Sequence, residues 1–290
     1  DITFFGQGIE PYKYNGAEFT RQGVDEPENT MTAASNGAGN LVGSYSYKIA
    51  YVNSYAATGD LSSGAVTFQA TSTGSQIDLA SIATAQQSFG VASRAIYRTD
   101  AGGATYKLIA TIADNSTTTY TDNIASSAAG ASADLDAGKP PNWRFAVTFQ
   151  DRIFCVEDGS EPSYVHYSNL GDPFIFASTS FIKVNRSDGE KITGLGVHSN
   201  SLIIYKENSV WILYMPSTTD TTWILLKSNA KYGCGSNRSI VDYAGSQIYL
   251  GTRNTKITGF YGMQGNVSEP QSQNFTSSSL FGDDKSDRIE

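Results

Sequence analysis

Two histidines, two cysteines and a scatter of carboxylates are the residues of this chain with the greatest chemical potential. A nucleophilic triad needs a histidine held between a nucleophile and a carboxylate, and the only histidines are His166 and His198. His166 lies in the alternating run Tyr164-Val-His-Tyr167 and His198 ends an apolar run before a turn, positions that suit structural histidines. Structural zinc takes four Cys or His ligands at close spacings. Cys155 and Cys234 are far apart and set among apolar or small residues, so they read as buried free thiols. Glycoside hydrolysis uses two carboxylates, and the acids to weigh are Asp151, Glu157, Asp158, Asp172 and Asp188. All five fall at expected turns, where an acid can cap the backbone without catalysis. Neither Asp158-Gly159 nor Asp283-Asp284 repeats acids at alternating positions as a calcium loop does. Gly194-Leu-Gly196 and Gly233-Cys-Gly235 do not follow a strand and open a helix as a phosphate loop must, and they read as turns. No catalytic, cofactor-binding or metal-binding residue is assigned, and the chain reads as a non-enzyme.

The elements that would position such residues are strands. Hydrophobic residues make up 39% of the 290 and charged residues 17%, with 28 Gly and many Ser, Thr and Asn, the usage of a turn-rich β protein. Helical periodicity is almost absent. Basic against acidic residues number 2 to 6 in 1–35, 4 to 7 in 36–138 and 14 to 15 in 139–290, so no segment is basic and tight gripping of nucleic acid is disfavoured. No signal peptide and no apolar run of membrane-spanning length is present. The opening on a strand and the polar ending suggest a piece of a longer chain.

Along the chain, Ile2-Thr-Phe-Phe5 and Pro11 to Thr20 read as short strands, with Asn15-Gly16 as a two-residue hairpin turn. Residues 25–40 form a polar linker. From Gly43 to about Asn123 the register is period two, with about seven strands, the number that suits one β-sandwich. A Ser/Ala/Gly-rich run from Ser126 to Gly138 forms a second linker. Beyond Pro140-Pro141 a repeat appears: positions 151, 200 and 246, spaced by 49 and 46, each open a hairpin-like strand pair. Four strands per 45 to 50 residues is the footprint of a propeller blade. The expected fold is therefore all-β, a β-propeller interrupted by an inserted β-sandwich; the propeller is partial, since about three units are visible where a closed one needs at least four, and two sequential domains are the alternative. Residues 1–35 are propeller strands and linker, 36–138 the insert, and 139–290 the blades with a polar C-terminal stretch. Trp143, Trp211 and Trp223 are expected in packed faces rather than on a sugar platform. Asn115-Ser-Thr117 and Asn274-Phe-Thr276 are chance sequons in a Ser/Thr-rich chain.

The order of these features resembles that of bacteriophage tail nozzle, hub and DNA-stabilisation proteins, in which a propeller carries an inserted fibronectin- or immunoglobulin-like domain. The resemblance rests on Tyr12-Lys-Tyr-Asn-Gly16, Gly43-Ser-Tyr-Ser-Tyr-Lys-Ile-Ala-Tyr51 with Thr58-Gly-Asp-Leu-Ser62, Ala95-Ile-Tyr-Arg-Thr99 with Gly102-Gly103 and Tyr106-Lys-Leu-Ile-Ala110, and Tyr120-Thr-Asp122. It continues through Asp188-Gly189, Ile192-Thr-Gly-Leu195, Leu202-Ile-Ile-Tyr-Lys206, Trp211 and Gly233-Cys-Gly235. The resemblance implies a virion protein of the phage tail: a homo-oligomeric ring below the portal and adaptor, touching adjacent tail and head-to-tail connector proteins. Double-stranded DNA would pass through transiently and non-specifically, with no cofactor and no membrane in the assembled state. The alternatives are a receptor- or glycan-binding tail protein, with Tyr55 and Phe89 as contact residues, and a propeller glycan hydrolase.

Overall fold

The computed structural model describes residues 2–6, 8–157, 159, 161–198, 200–243, 246–253, 256–264 and 271–275, with side-chain surroundings to residue 252 except 243 and 246. It is all-β. Helical structure among the described residues is confined to five three-residue 3-10 turns. The chain divides into two compact units, one of Asp1–Phe5, Pro11–Pro140 and Asp172–Thr179, the other of Gly6–Glu10, Pro141–Gly171 and the chain from Ser180 onward.

In the first unit β1 (Thr3–Phe5), β2 (Tyr12–Tyr14) and β3 (Phe19–Arg21) form one antiparallel sheet. The hairpin between β2 and β3 turns one residue later than the sequence suggests. Asn15 N donates to Glu18 O at 3.3 Å, so Gly16 and Ala17 are the central pair, and Gly16 supplies the positive φ of +96°. The Asn15 side chain explains the shift: its Oδ1 accepts from Ala17 N at 2.9 Å and Glu18 N at 2.8 Å, which makes Asn15 the first residue of the turn rather than its centre.

Seven further strands follow: β4 (Thr32–Ser35), β5 (Leu41–Asn53), β6 (Val66–Ser75), β7 (Ile77–Ala80), β8 (Val91–Thr99), β9 (Tyr106–Ile112) and β10 (Tyr120–Asp122). They make two antiparallel sheets, β10-β7-β4 and β6-β5-β8-β9. One hydrophobic cluster joins them, Tyr45, Tyr47, Ile49 and Ile96 from the larger sheet meeting Ile77 and Leu79 from the smaller. Period two operates as read: Tyr45, Tyr47 and Ile49 are buried while Ser46 and Lys48 between them are only partly so.

The second unit contains three successive antiparallel sheets. The first is β11 (Trp143–Phe149), β12 (Arg152–Glu157), β13 (Tyr164–Tyr167) and β14 (Phe181–Lys183), and the second is β15 (Ile192–His198), β16 (Ser201–Lys206), β17 (Val210–Tyr214) and β18 (Ile224–Lys227). Both run in strict chain order. In the third, β19 (Gly233–Cys234) and β20 (Val241–Tyr243) both pair with β21 (Ser246–Arg253), which is followed by β22 (Lys256–Gln264) and β23 (Gln271–Phe275). β19 and β20 thus share the place that one continuous strand holds in the other two sheets, interrupted by the turn Asn237–Ser239.

Sheet two is covered on both faces, which is why β16 is an unbroken run of buried residues. Leu202 and Ile204 join Phe154, Val156 and Val165 of the first sheet in one cluster. Ile203 and Tyr205 join Cys234 and Tyr249 of the third in another. Successive sheets therefore stack face to face. The glycines read as turns serve this stacking instead. Gly194 and Gly196 lie inside β15, and a Cβ there would stand 2.4 Å from Ile240 Cδ1 and 2.3 Å from Gln247 Oε1. Gly233 is within β19, where a Cβ would meet the Lys206 carbonyl at 2.3 Å. These glycines answer to close approach rather than chain reversal.

Candidate functional site

Of the sequence-derived candidates for chemistry only His166 and Glu157 are brought together among the described residues, and the others sit in separate local roles. Cys155 and Cys234 are free and buried, as read, and burial pushes both thiols upward in pKa. His166 Nε2 lies 3.5 Å from Glu157 Oε2, and burial, opposed by that carboxylate, lowers its pKa. His198 ends β15. Asp151 is at the β11–β12 turn with a φ of +55°, and Asp172 Oδ1 accepts from Phe174 N at 2.9 Å. Asp188 Oδ1 accepts from Glu190 N at 2.9 Å and from Lys206 Nζ at 2.6 Å. Asp158, Asp283, Asp284 and Thr276 fall outside the described residues, and Asn274 has only its backbone described. Among the described residues no three His, Cys, Asp or Glu side chains gather to hold a metal, and no helix is long and apolar enough to cross a membrane.

The aromatic candidates are engaged in packing. Trp143 is buried, and Trp223 meets the rings of Phe154 and Tyr167 at 5.8 and 4.9 Å. Tyr55 stacks on Phe174 at 5.0 Å, and Arg21 covers Phe89 at 4.0 Å. A polar cleft of about 420 Å³ in the first unit is lined by Lys13, Asn15, Glu18, Thr20, Gln87 and Asn115 among others. Lys13 is 2% exposed. Its ammonium donates to Arg21 O at 2.5 Å and lies 5.2 Å from the Phe174 ring, with no carboxylate partner among the described residues. Burial lowers its pKa to about 8 from an ordinary 10.5.

Between those two values the unfolded chain keeps the proton and the native chain has lost it, so stability rises with pH from about 8 to about 10.5, and the full penalty is present below 8. Lys13→Met should therefore stabilise the protein at pH 7 by about 1–2 kcal/mol, less than the shift alone implies because one hydrogen bond and one cation–π contact are lost. It should also flatten the dependence of chemical-denaturation midpoint on pH between 8 and 10. An unchanged slope would show that Lys13 is not its source.

The second unit has an open groove of about 440 Å³ built on the first strands of its three sheets. Arg144 comes from β11, Lys191 from the position just before β15, Thr193 from β15 itself, and Asn237 and Arg238 from the turn between β19 and β20. The backbone is locked where these meet: Arg144 Nη2 donates to Ile192 O at 3.1 Å, and Asn237 Oδ1 accepts from Leu195 N at 3.0 Å. Lys191 lies 3.4 Å from Glu207 but stays 53% exposed, and Arg238 is exposed. Among the described residues three cations and no carboxylate line the groove. Sequence reasoning missed them because each stands alone locally. The available signal was their period, since Arg144, Lys191 and Arg238 are 47 residues apart in each step, close to one sheet repeat.

Compared with known families and curated proteins, the chain matches no family model and no curated protein.

Proposed function

We propose that this chain is a structural protein of a bacteriophage tail, a hub or nozzle subunit whose blades form part of the channel for genome ejection. Two four-stranded antiparallel sheets and a third of five strands in which β19 and β20 share one place, stacked face to face by the alternating side chains of β16, are the observation that carries the reading. This is how blades of a β-propeller pack. The segment 36–138, joined by β4 (Thr32–Ser35) from the stretch read as a linker, is then the inserted fibronectin- or immunoglobulin-like domain, a reading supported by two sheets closing over one core. The work of such a protein lies in its surfaces: ring contacts to its own copies and axial contacts to neighbouring tail and connector proteins. Stacked sheets supply a stiff wall because their facing sides pack into continuous hydrophobic clusters.

The reading requires self-association. Light scattering of the purified protein coupled to size exclusion, followed by negative-stain imaging, should give a homo-oligomer with a central opening. A strict monomer at micromolar concentration, together with tight binding to host surface polysaccharide, would replace the conduit with a glycan-binding tail protein.

A further inference from the structure

We propose that the groove of Arg144, Lys191 and Arg238 is a contact site for the phosphodiester backbone of duplex DNA. This deepens the conduit reading and rests on it. Each of three successive sheets contributes one cation, on or beside its first strand, to the same open groove, and no carboxylate among the described residues lines it. A row of positive groups on or beside the first strands of adjacent sheets suits a polymer with regularly repeated negative charge better than a single small anion, which an open, solvated groove would hold weakly. Thr193 and Ser236 add hydroxyls, and the Asn237 amide already accepts at Oδ1 from Leu195 N and so cannot pair a base edge bidentately, which makes the contact one to backbone and sequence-independent. The near-balanced charge of 139–290 does not oppose this, because the cations are collected by the fold and not by the chain. Lys191 has Glu207 at 3.4 Å, which moderates its pull and favours transient contact over tight retention.

The test uses fluorescence anisotropy of a labelled 20-base-pair duplex against the whole protein over a range of salt concentrations. Lys191→Ala/Arg238→Ala removes two exposed cations and leaves Arg144, which also holds the Ile192 carbonyl, in place. Lys227→Ala/Lys231→Ala is the control, an equal loss of charge at exposed positions that do not line the groove. The expected result is duplex binding at low salt whose log–log salt slope flattens by about 1.8 in the groove variant, with affinity falling about 10-fold or more, while the control changes much less. Equal loss in both variants, or no duplex binding by the wild type at 50 mM salt, would overturn the proposal. So would tighter binding of an acidic polysaccharide than of a duplex of matched charge. A ring that fails to bind duplex would overturn the groove assignment and leave the conduit standing. Duplex binding through the groove by a strict monomer would do the reverse.

Discussion

Asp122→Ala should destabilise the first unit by about 3–5 kcal/mol, the cost of leaving a buried charge without its partner. Asp122 ends β10 and is fully buried. Its Oδ2 accepts from Arg98 Nη1 at 2.6 Å and from the Tyr47 hydroxyl at 2.8 Å, and its Oδ1 from Ile124 N at 2.9 Å. Arg98 is 1% exposed, stands 4.9 Å from the Tyr45 ring, and has no protein hydrogen-bond partner for Nε or Nη2. Taking away the carboxylate therefore strands a guanidinium inside the core that joins the two sheets. Thermal unfolding should show the loss as a fall in Tm of about 10 °C or more. Arg98→Met/Asp122→Val should recover more than half of it, because well-packed apolar residues can replace a buried ion pair at little cost. A double variant no more stable than Asp122→Ala would show that shape, and not the uncompensated charge, sets the loss.

A loss of about 2–4 kcal/mol is expected for Lys206→Met in the second unit. Lys206 ends β16 and is fully buried, and its ammonium donates to Val184 O at 3.0 Å, Asn185 O at 3.3 Å and Asp188 Oδ1 at 2.6 Å. Those three acceptors belong to the segment in which Asn185 and Gly189 adopt left-handed backbone, with φ of +43° and +71°. The methionine keeps the apolar stem and removes the donors, so the segment 184–189 loses its anchor while the strand keeps its packing. Limited proteolysis should then cut near residues 185–190 faster than in the wild type. Because Lys191 follows directly, the variant should also weaken duplex binding at the groove. Unchanged stability together with an unchanged cleavage rate would mean that backbone contacts alone fix this segment.

Strand pattern carried most of the fold into view. Tyr45, Tyr47 and Ile49 alternate with polar residues, and Leu202 to Tyr205 form the continuous run of a strand covered on both sides. What escaped were features decided by distance across sheets. Gly194 and Gly196 look like punctuation in sequence, yet they are interior to β15 because the third sheet leaves no space for a side chain. Arg94 and Arg98 would by composition be sent to solvent, yet both are buried against polar partners that lie elsewhere in the chain. Asn15-Gly16 announced a hairpin correctly and its centre wrongly, since the asparagine side chain competes with its own carbonyl for the turn amides. The cations of the groove are single residues in unremarkable local sequence and become a set only when three sheets stack.

The most direct measurement of the central claim is cryo-electron microscopy of the native particle, with the density of this protein located by fitting its stacked sheets. If the protein is the proposed hub or nozzle, the density will form a closed ring on the tail axis, below the portal and adaptor, with an opening wide enough for duplex DNA and Arg144, Lys191 and Arg238 facing it. Density at the periphery of the tail, or a ring whose groove faces away from the axis, would contradict it.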